Sequence, residues 1–416
     1  MKETKILEFK REISNSFLKT VSAFSNYSGG TIVFGINDDG EIVGIENIKD
    51  SCLDIENKIN DSISPNPNYT VDVNEKDRTI TVKVEPGETK PYLYKGKAYK
   101  RNDTATIEVG YLELSRLILA GRRINFEELP SENQELEFNV LKEKLSEEIG
   151  IKDFSKDILK TLNLYSDNSG FNNAAAILAD KNSFPGIDIV VFGETINIIK
   201  KRERIENKSI LKAFSKALKI FRDTYQYEEI EGFERKRKSL IPEAAFREAV
   251  ANAIIHRTWD SQPLISIAMY DDRIEIVSPG GLPAELTEDE YINGKISVLR
   301  NPILSNVFYR LRIVELFGTG ILRIKQDYAK SFYKPSFEFT EHTITITLPV
   351  SEKDLNISQD EHTVYKNISP TTPLQISDIC SQVPYCKSKV LSILNTLVEK
   401  HLIQKTGNGR GTKYRR

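Results

Sequence analysis

Three polar side chains, Glu248, Asn252 and His256, stand four residues apart in a segment that is otherwise mostly alanine, valine and isoleucine. On a helix that spacing sets them in one line along one face. The rest of the segment is apolar nearly all round, so the helix is expected to be buried. An unpartnered buried carboxylate costs several kcal/mol, so the line must meet either internal hydrogen-bond partners or a wet cleft. The first outcome is a purely structural network. The second is a metal and phosphate site, in which Asn252 holds Mg²⁺ through its amide oxygen and Glu248 orients and deprotonates an attacking water. Two glycine clusters that follow in the chain suit the second outcome. Ser278-Pro279-Gly280-Gly281 comes directly after a strand, and Gly318-Thr319-Gly320 has backbone N–H groups to offer to phosphates.

A second group of charges lies at the N-terminus. If residues 6–10 are extended, Glu8 and Lys10 share one face and Leu7 and Phe9 the other. Glu3 lies upstream, and Asp38 and Asp39 sit beyond the next strand. Three carboxylates and a lysine could form a metal-dependent phosphodiesterase centre using Mn²⁺ or Mg²⁺. The plainer alternative is a loose terminus and an Asp38-Asp39-Gly40 turn.

The elements that must position these groups belong to several domains. A chain of 416 residues exceeds one compact core. With 39% hydrophobic and 28% charged residues it suits a soluble globular protein, and no apolar run approaches a bilayer span. The charged N-terminus is no signal peptide, and three cysteines (Cys52, Cys380, Cys386) point to a reducing compartment, so a cytoplasmic location is expected. A net charge of −2 gives no global attraction to nucleic acid, which leaves binding to local patches.

The expected class is a multidomain α/β (α+β) protein. Residues 1–120 read as α/β, with a helix over 13–24, a strand over 31–36 and a hairpin at Asn37-Asp38-Asp39-Gly40. Residues 121–199 read as a connecting α/β region and 200–350 as a second α/β domain. The latter carries helices over 205–228 and 242–256 and strands over 264–268, 273–277 and 343–348. Residues 351–372 read as a linker. Residues 373–416 read as a short helix, a turn, a second helix from Lys387, and a basic hairpin tipped by glycines 407–411. That order resembles a winged helix-turn-helix, in which Lys387 and Lys389 lead the groove-entering helix while Arg410 and Lys413 in the wing touch backbone. A winged helix used for protein contact is the alternative.

Two family resemblances sharpen these expectations. Arg247-Glu248, Asn252, His256-Arg257, Asp272 to Gly281, Arg300-Asn301-Pro302 and Gly318-Thr319-Gly320 resemble the GHKL ATPase fold. The likeness is closest to its divergent version in bacterial Schlafen-type, RecG-like regulators. It implies an α/β sandwich with ATP and Mg²⁺ as ligands and Glu248 as general base. Asn252 would be the Mg²⁺ ligand, Gly280 and Gly281 a nucleotide wall and Gly318 to Gly320 a phosphate loop, with His256 and Ser278 beside the nucleotide. One position departs from the pattern: Ser278 stands where the wider fold reads adenine with an Asp. Homodimerisation is expected by analogy with that fold.

Residues 1–120 resemble the Schlafen AlbA-like domain, through Glu8-Phe9-Lys10, Ala23 to Asn26, Gly29-Gly30-Thr31, Gly35 to Gly40, Val43-Gly44 and Tyr99-Lys100-Arg101. The likeness implies nucleic-acid binding, with Lys10, Lys100 and Arg101 contacting phosphate. Animal relatives use two glutamates and an aspartate to cut structured RNA, for which Glu3, Glu8 and Asp38 or Asp39 are the counterparts here. The expected function is an ATP-responsive nucleic-acid-binding regulator, with a Schlafen-type nuclease acting on RNA or DNA as the alternative.

Overall fold

The computed structural model describes residues 2–37, 39–151, 153–231, 234–283, 286–294, 298–315, 318–351, 357–369, 372–400, 402–407 and 409–416. Asp38 and the Arg410 side chain, both expected site residues, lie outside this description. The chain forms two compact units. One comprises residues 1–135, 155–176 and 283–287; the other comprises 136–154, 177–282 and 288–416.

In the first unit the strand Leu7–Lys10 pairs parallel to Gly30–Phe34, and antiparallel strands Thr79–Val84 and Tyr69–Asn74 extend the sheet. Phe17–Asn26 is helical because Phe17, Leu18, Val21 and Phe24 make one apolar stripe, buried against Ile32, Phe34, Ile80 and Val82. Gly29, at φ 73°, ends the turn by donating its N–H to Phe24 O. The Asn26 amide then locks the segment to the Tyr92 backbone, with bonds of 2.9 and 2.8 Å. At the hairpin expected after the central strand, Ile36 and Ile42 form an isolated antiparallel bridge.

The second unit is built on a six-stranded sheet in the order Ile199–Ile205, Ile187–Phe192, Ile265–Met269, Arg273–Pro279, Thr343–Pro349, Ser336–Phe339. Only the pairing of 187–192 with 265–269 is parallel. The helices Ile210–Tyr225 and Glu243–His256 lie against this sheet, and Pro302–Arg310 and Gly320–Asp327 pack on the second of them. The result is an α/β sandwich whose central helix, Glu243–His256, is covered on nearly every side, as its composition requires.

Three boundaries differ from the expectation. The sheet draws its first strands from 187–205, ahead of the boundary expected at 200, and the helix expected from 205 begins at Ile210. The segment Lys200-Lys201-Arg202-Glu203-Arg204 is an exposed edge strand whose charges hide its period of two. The expected linker 351–372 contains the helix Gln359–Lys366. Its start is fixed by a capping box in which Ser358 Oγ accepts from the Glu361 N–H and the Glu361 carboxylate accepts from the Ser358 N–H. Val364 of that helix joins Ile379, Val390, Leu394 and Leu397 in one apolar cluster. The remaining C-terminal elements are strand Leu374–Gln375, helices Ile376–Cys380 and Lys387–Glu399, and strands Gln404–Thr406 and Lys413–Arg415. Those three strands pair with 413–415 in the middle. No helix among the described residues is long and apolar enough to cross a membrane.

Candidate nucleotide site and the N-terminal ion cluster

The central helix carries Glu248 with 5% of its surface exposed, yet among the described residues its carboxylate takes no hydrogen bond and no ion pair. Burial pushes its pKa up; Arg323 and Arg247 pull it down, and Glu315 and Asp327 push it further up. A carboxylate that is desolvated, unpartnered and raised towards neutrality is suited to accepting a proton from water. One turn on, the Asn252 amide also has no hydrogen-bond partner among the described residues, and it is half-buried.

Both groups face the start of the helix Gly320–Asp327. A methyl group on Gly320 would stand 2.3 Å from Glu248 Oε1 and 2.9 Å from Asn252 Nδ2, so only glycine lets the two helices approach this closely. Thr319 precedes that helix without capping it, and Gly318 has φ 67°. The positive end of a helix therefore abuts a free amide and a free carboxylate, so an anion here needs a cation between it and Glu248. Glu248 and Asn252, one turn apart, and Gly318 to Gly320, at least 66 residues further along the chain, converge on one spot.

His256, at the end of the stripe, has a different environment. Its Nδ1 is shut off from solvent without a partner among the described residues. Burial, helped by Arg300, holds its pKa down at about 4, so the ring is neutral at physiological pH. The Tyr291 ring meets it edge-on at 5.9 Å.

Arg300 donates to His256 O at 2.6 Å and to Gly281 O at 2.7 Å, while Asn301 donates to Ile255 O at 2.6 Å and Arg257 O at 2.9 Å. These two residues therefore tie down the carbonyls at the helix C-terminus. Ser278 donates to Ala253 O at 2.8 Å and is 3% exposed, so it acts as a strand-to-helix bolt with no carboxylate to read a base. Gly280 and Gly281 serve close packing: a methyl on Gly281 would stand 2.5 Å from Glu341 O and 2.6 Å from Thr340 O. Arg300 and Asn301 were visible in the sequence as a motif, but their role in holding the helix end was not.

The N-terminal charges also converge, around Glu8. This residue is 4% exposed and sits opposite Ile32 in the parallel pair. One oxygen pairs with Lys10 Nζ at 2.6 Å; the other accepts from Thr20 Oγ1 at 2.6 Å and from Arg101 Nη1. Arg101, 8% exposed, also reaches Thr106 Oγ1 at 2.9 Å and Thr4 O at 3.3 Å. Glu3 accepts the Phe9 N–H at 2.7 Å, so it fixes the terminus to the edge of the sheet.

The three cations expected to contact phosphate are thus already engaged: Arg101 and Lys10 by Glu8, and Lys100 by Glu113 at 2.9 Å. Arg101 corrects the expectation most clearly, because a buried guanidinium serving a buried carboxylate is not available to a ligand. No group of three or more His, Cys, Asp or Glu residues able to hold a metal occurs among the described residues. Asp39 is therefore not joined there with Glu3 and Glu8.

At the C-terminus, Lys389 pairs with Asp360 at 2.6 Å and lies over the Tyr385 ring, whereas Lys387 at the head of the same helix and Lys413 on the last strand make no ion pair among the described residues.

Comparison with known proteins finds two separate matches along the chain. Residues 3–109 match the Schlafen AlbA_2 family, and residues 263–348 match the family of the recG ATP-dependent DNA helicase C-terminal region. The second match begins just after the Glu248 helix and includes Ser278, both glycines that follow it, and Gly318 to Gly320. Among solved structures, the crystal structure of the DIP2311 protein from Corynebacterium diphtheriae is 18% identical with a TM-score of 0.50, covering 94% of this chain and 87% of that one. No curated protein matches the chain. The chain therefore joins a Schlafen AlbA_2 domain to an ATPase-like domain of the RecG C-terminal type.

Proposed function

We propose that this chain is a nucleotide-responsive, nucleic-acid-binding regulator whose nucleotide site is formed by Glu248, Asn252 and the Gly318-Thr319-Gly320 turn. The observation that carries this reading is the buried carboxylate of Glu248, left without a partner one turn from an equally free amide and against a helix start that only glycine allows. Evolution does not keep such a group for stability, because it costs several kcal/mol. Bound ATP–Mg²⁺ would supply a polarised phosphoanhydride there. Asn252 would offer its Oδ1 to the cation, and the backbone N–H groups at the start of the Gly320 helix would face the phosphates. Glu248 would orient a water and take its proton.

Nucleic-acid association is supported by the Schlafen AlbA_2 match and by the C-terminal elements, which we read as a winged helix-turn-helix from their order of helices and short strands. In that module Lys387, Lys413 and the Arg410 tip are the contacts we assign, with duplex backbone as the target. The family described as recG-type helicase supports the ATP half in the same way. A homodimer, as in GHKL relatives, is part of this proposal. The nuclease alternative gains nothing from the geometry, since Glu8 already serves two cations and a hydroxyl.

Titration calorimetry with ATP and Mg²⁺ on wild type and on Asn252→Ala tests the nucleotide half. Binding by wild type that weakens at least tenfold in the variant is expected. Equal binding by both would remove Asn252 from the site, and heat from neither would defeat the nucleotide reading.

A further inference from the structure

The cations expected to contact nucleic acid in the N-terminal unit are internally paired, whereas the second unit carries a cationic surface that no motif announced. Between Ile199 and Arg222 the chain has nine basic and two acidic residues, against a net charge of −2 for the whole. The segment folds as the edge strand Ile199–Ile205 followed by the helix Ile210–Tyr225, and between them lies a cleft of about 440 Å³ whose lining carries five cations, Arg204, Lys208, Lys212, Lys216 and Lys219, against two carboxylates, Glu203 and Glu206.

The strand half has an ordinary explanation. Lysine and arginine on an exposed edge stop it pairing with another chain, and Lys200, Arg202 and Arg204 are matched by Asp271, Asp188 and Glu206. The helix half does not. Its inner face is Ile210, Leu211, Phe214, Ala217 and Phe221, but its outer face offers Lys212, Lys216 and Lys219, of which Lys216 pairs with Glu203 at 3.2 Å and the other two make no ion pair among the described residues. Lys208 and Lys212 stand at the positive end of the helix, where acidic residues are favoured and cations cost stability. Ser209, the residue placed to cap that end, gives its hydroxyl to Leu178 O at 2.7 Å instead. Lys208, Lys212 and Lys219 are exposed and make no ion pair among the described residues. A local rule broken at several adjacent positions without an internal gain marks a functional surface.

We propose that this cleft and helix face bind the phosphate backbone of a nucleic acid, as a third contact surface separate from both flanking modules. Lys212 to Lys219 spans about 10 Å along the helix axis, a stretch over which a strand of duplex presents about three phosphates. An apolar anchor is missing from the outer helix face, which argues against a folded protein partner. The exposed Ile196, Ile198 and Ile199 lie about 20 Å from the cleft, at the other end of the edge strand. They make an anionic membrane the competing occupant.

This inference deepens the nucleic-acid half of the proposed function and rests on it. The test uses the full chain with fluorescein-labelled duplex DNA, single-stranded RNA and phosphatidylglycerol vesicles, each titrated over a range of salt. The variants are Lys208→Gln/Lys212→Gln/Lys219→Gln, its all-arginine counterpart, and Lys387→Gln. We expect the glutamine triple to bind nucleic acid at least tenfold more weakly at low salt, with its log K against log salt slope reduced by about 2.7, roughly 0.9 per lost phosphate contact. The arginine triple should restore both. Affinity and slope within twofold of wild type in the glutamine triple, with Lys387→Gln impaired, would overturn this surface while leaving the proposed function standing. Loss confined to vesicle binding would likewise overturn it, in favour of a membrane. No binding of either nucleic acid by wild type would overturn both this surface and that half of the function.

Discussion

Replacing Glu248 by glutamine should stabilise the protein at neutral pH and, under the proposed function, abolish ATP hydrolysis. In the folded state burial raises the Glu248 pKa above the value it has in the unfolded chain. Below the unfolded pKa both states hold the proton and the carboxyl costs nothing. As pH rises through the unfolded value towards the folded one, the unfolded state releases its proton first, and stability falls. Each unit of raised pKa then costs about 1.4 kcal/mol at pH 7. The raised value already includes the pull of Arg247 and Arg323, and the new amide is itself imperfectly satisfied, so the expected net gain for Glu248→Gln is about 1–2 kcal/mol, the usual cost of a buried unpaired polar group. On a unit of this size that corresponds to a Tm increase of roughly 2–8 °C. The assay is differential scanning calorimetry of wild type and variant at pH 7 and at pH 4. The gain should be present at pH 7 and absent at pH 4, with ATP hydrolysis lost. A variant less stable than wild type at pH 7, or a Tm difference that ignores pH, would show that Glu248 is a satisfied structural carboxylate and would refute the reasoning.

Arg101→Ala should destabilise the N-terminal unit by about 3–5 kcal/mol, because it leaves Glu8 buried with only Lys10 and Thr20 to serve it; urea unfolding followed by circular dichroism would measure this. Gly320→Ala should cost about 1–3 kcal/mol through the clash with Glu248 and Asn252, and should weaken ATP binding in the same protein. Thermal unfolding and nucleotide titration together check it, and wild-type behaviour in both would mean that the two helices are not apposed as described.

The parts of this architecture that were legible in the sequence are those written in local periodicity. The helix around Glu248 and the strands 265–269, 273–279 and 343–349 followed from apolar spacing, because burial imposes that spacing directly. Elements with little to bury were harder to see. The edge strand 199–205 was not assigned because both of its faces carry charge, and the helix 359–366 was read as linker although Ser358 and Glu361 spell a capping box. In the candidate site, Glu248 and Asn252 were legible because two polar groups in an apolar helix demand an explanation. That Gly320 would press against both was not, since close approach between helices leaves no trace in local spacing. That Arg101 would be held in the interior was hidden for a related reason. Glu8 and Arg101 lie 93 residues apart, and only the fold reveals that the cation is consumed by the carboxylate. The basic surface on the helix 210–225 was hidden by a whole-chain charge of −2.

The central claim, that nucleotide and nucleic acid are coupled through this chain, is tested most directly by measuring affinity for one labelled duplex with and without saturating ATP–Mg²⁺. Coupling between two sites is typically 1–3 kcal/mol, so we expect the affinity of wild type to change by about fivefold or more, and that of Asn252→Ala not to change. An affinity for duplex that is identical with and without nucleotide, in a protein that demonstrably binds both, would contradict the account.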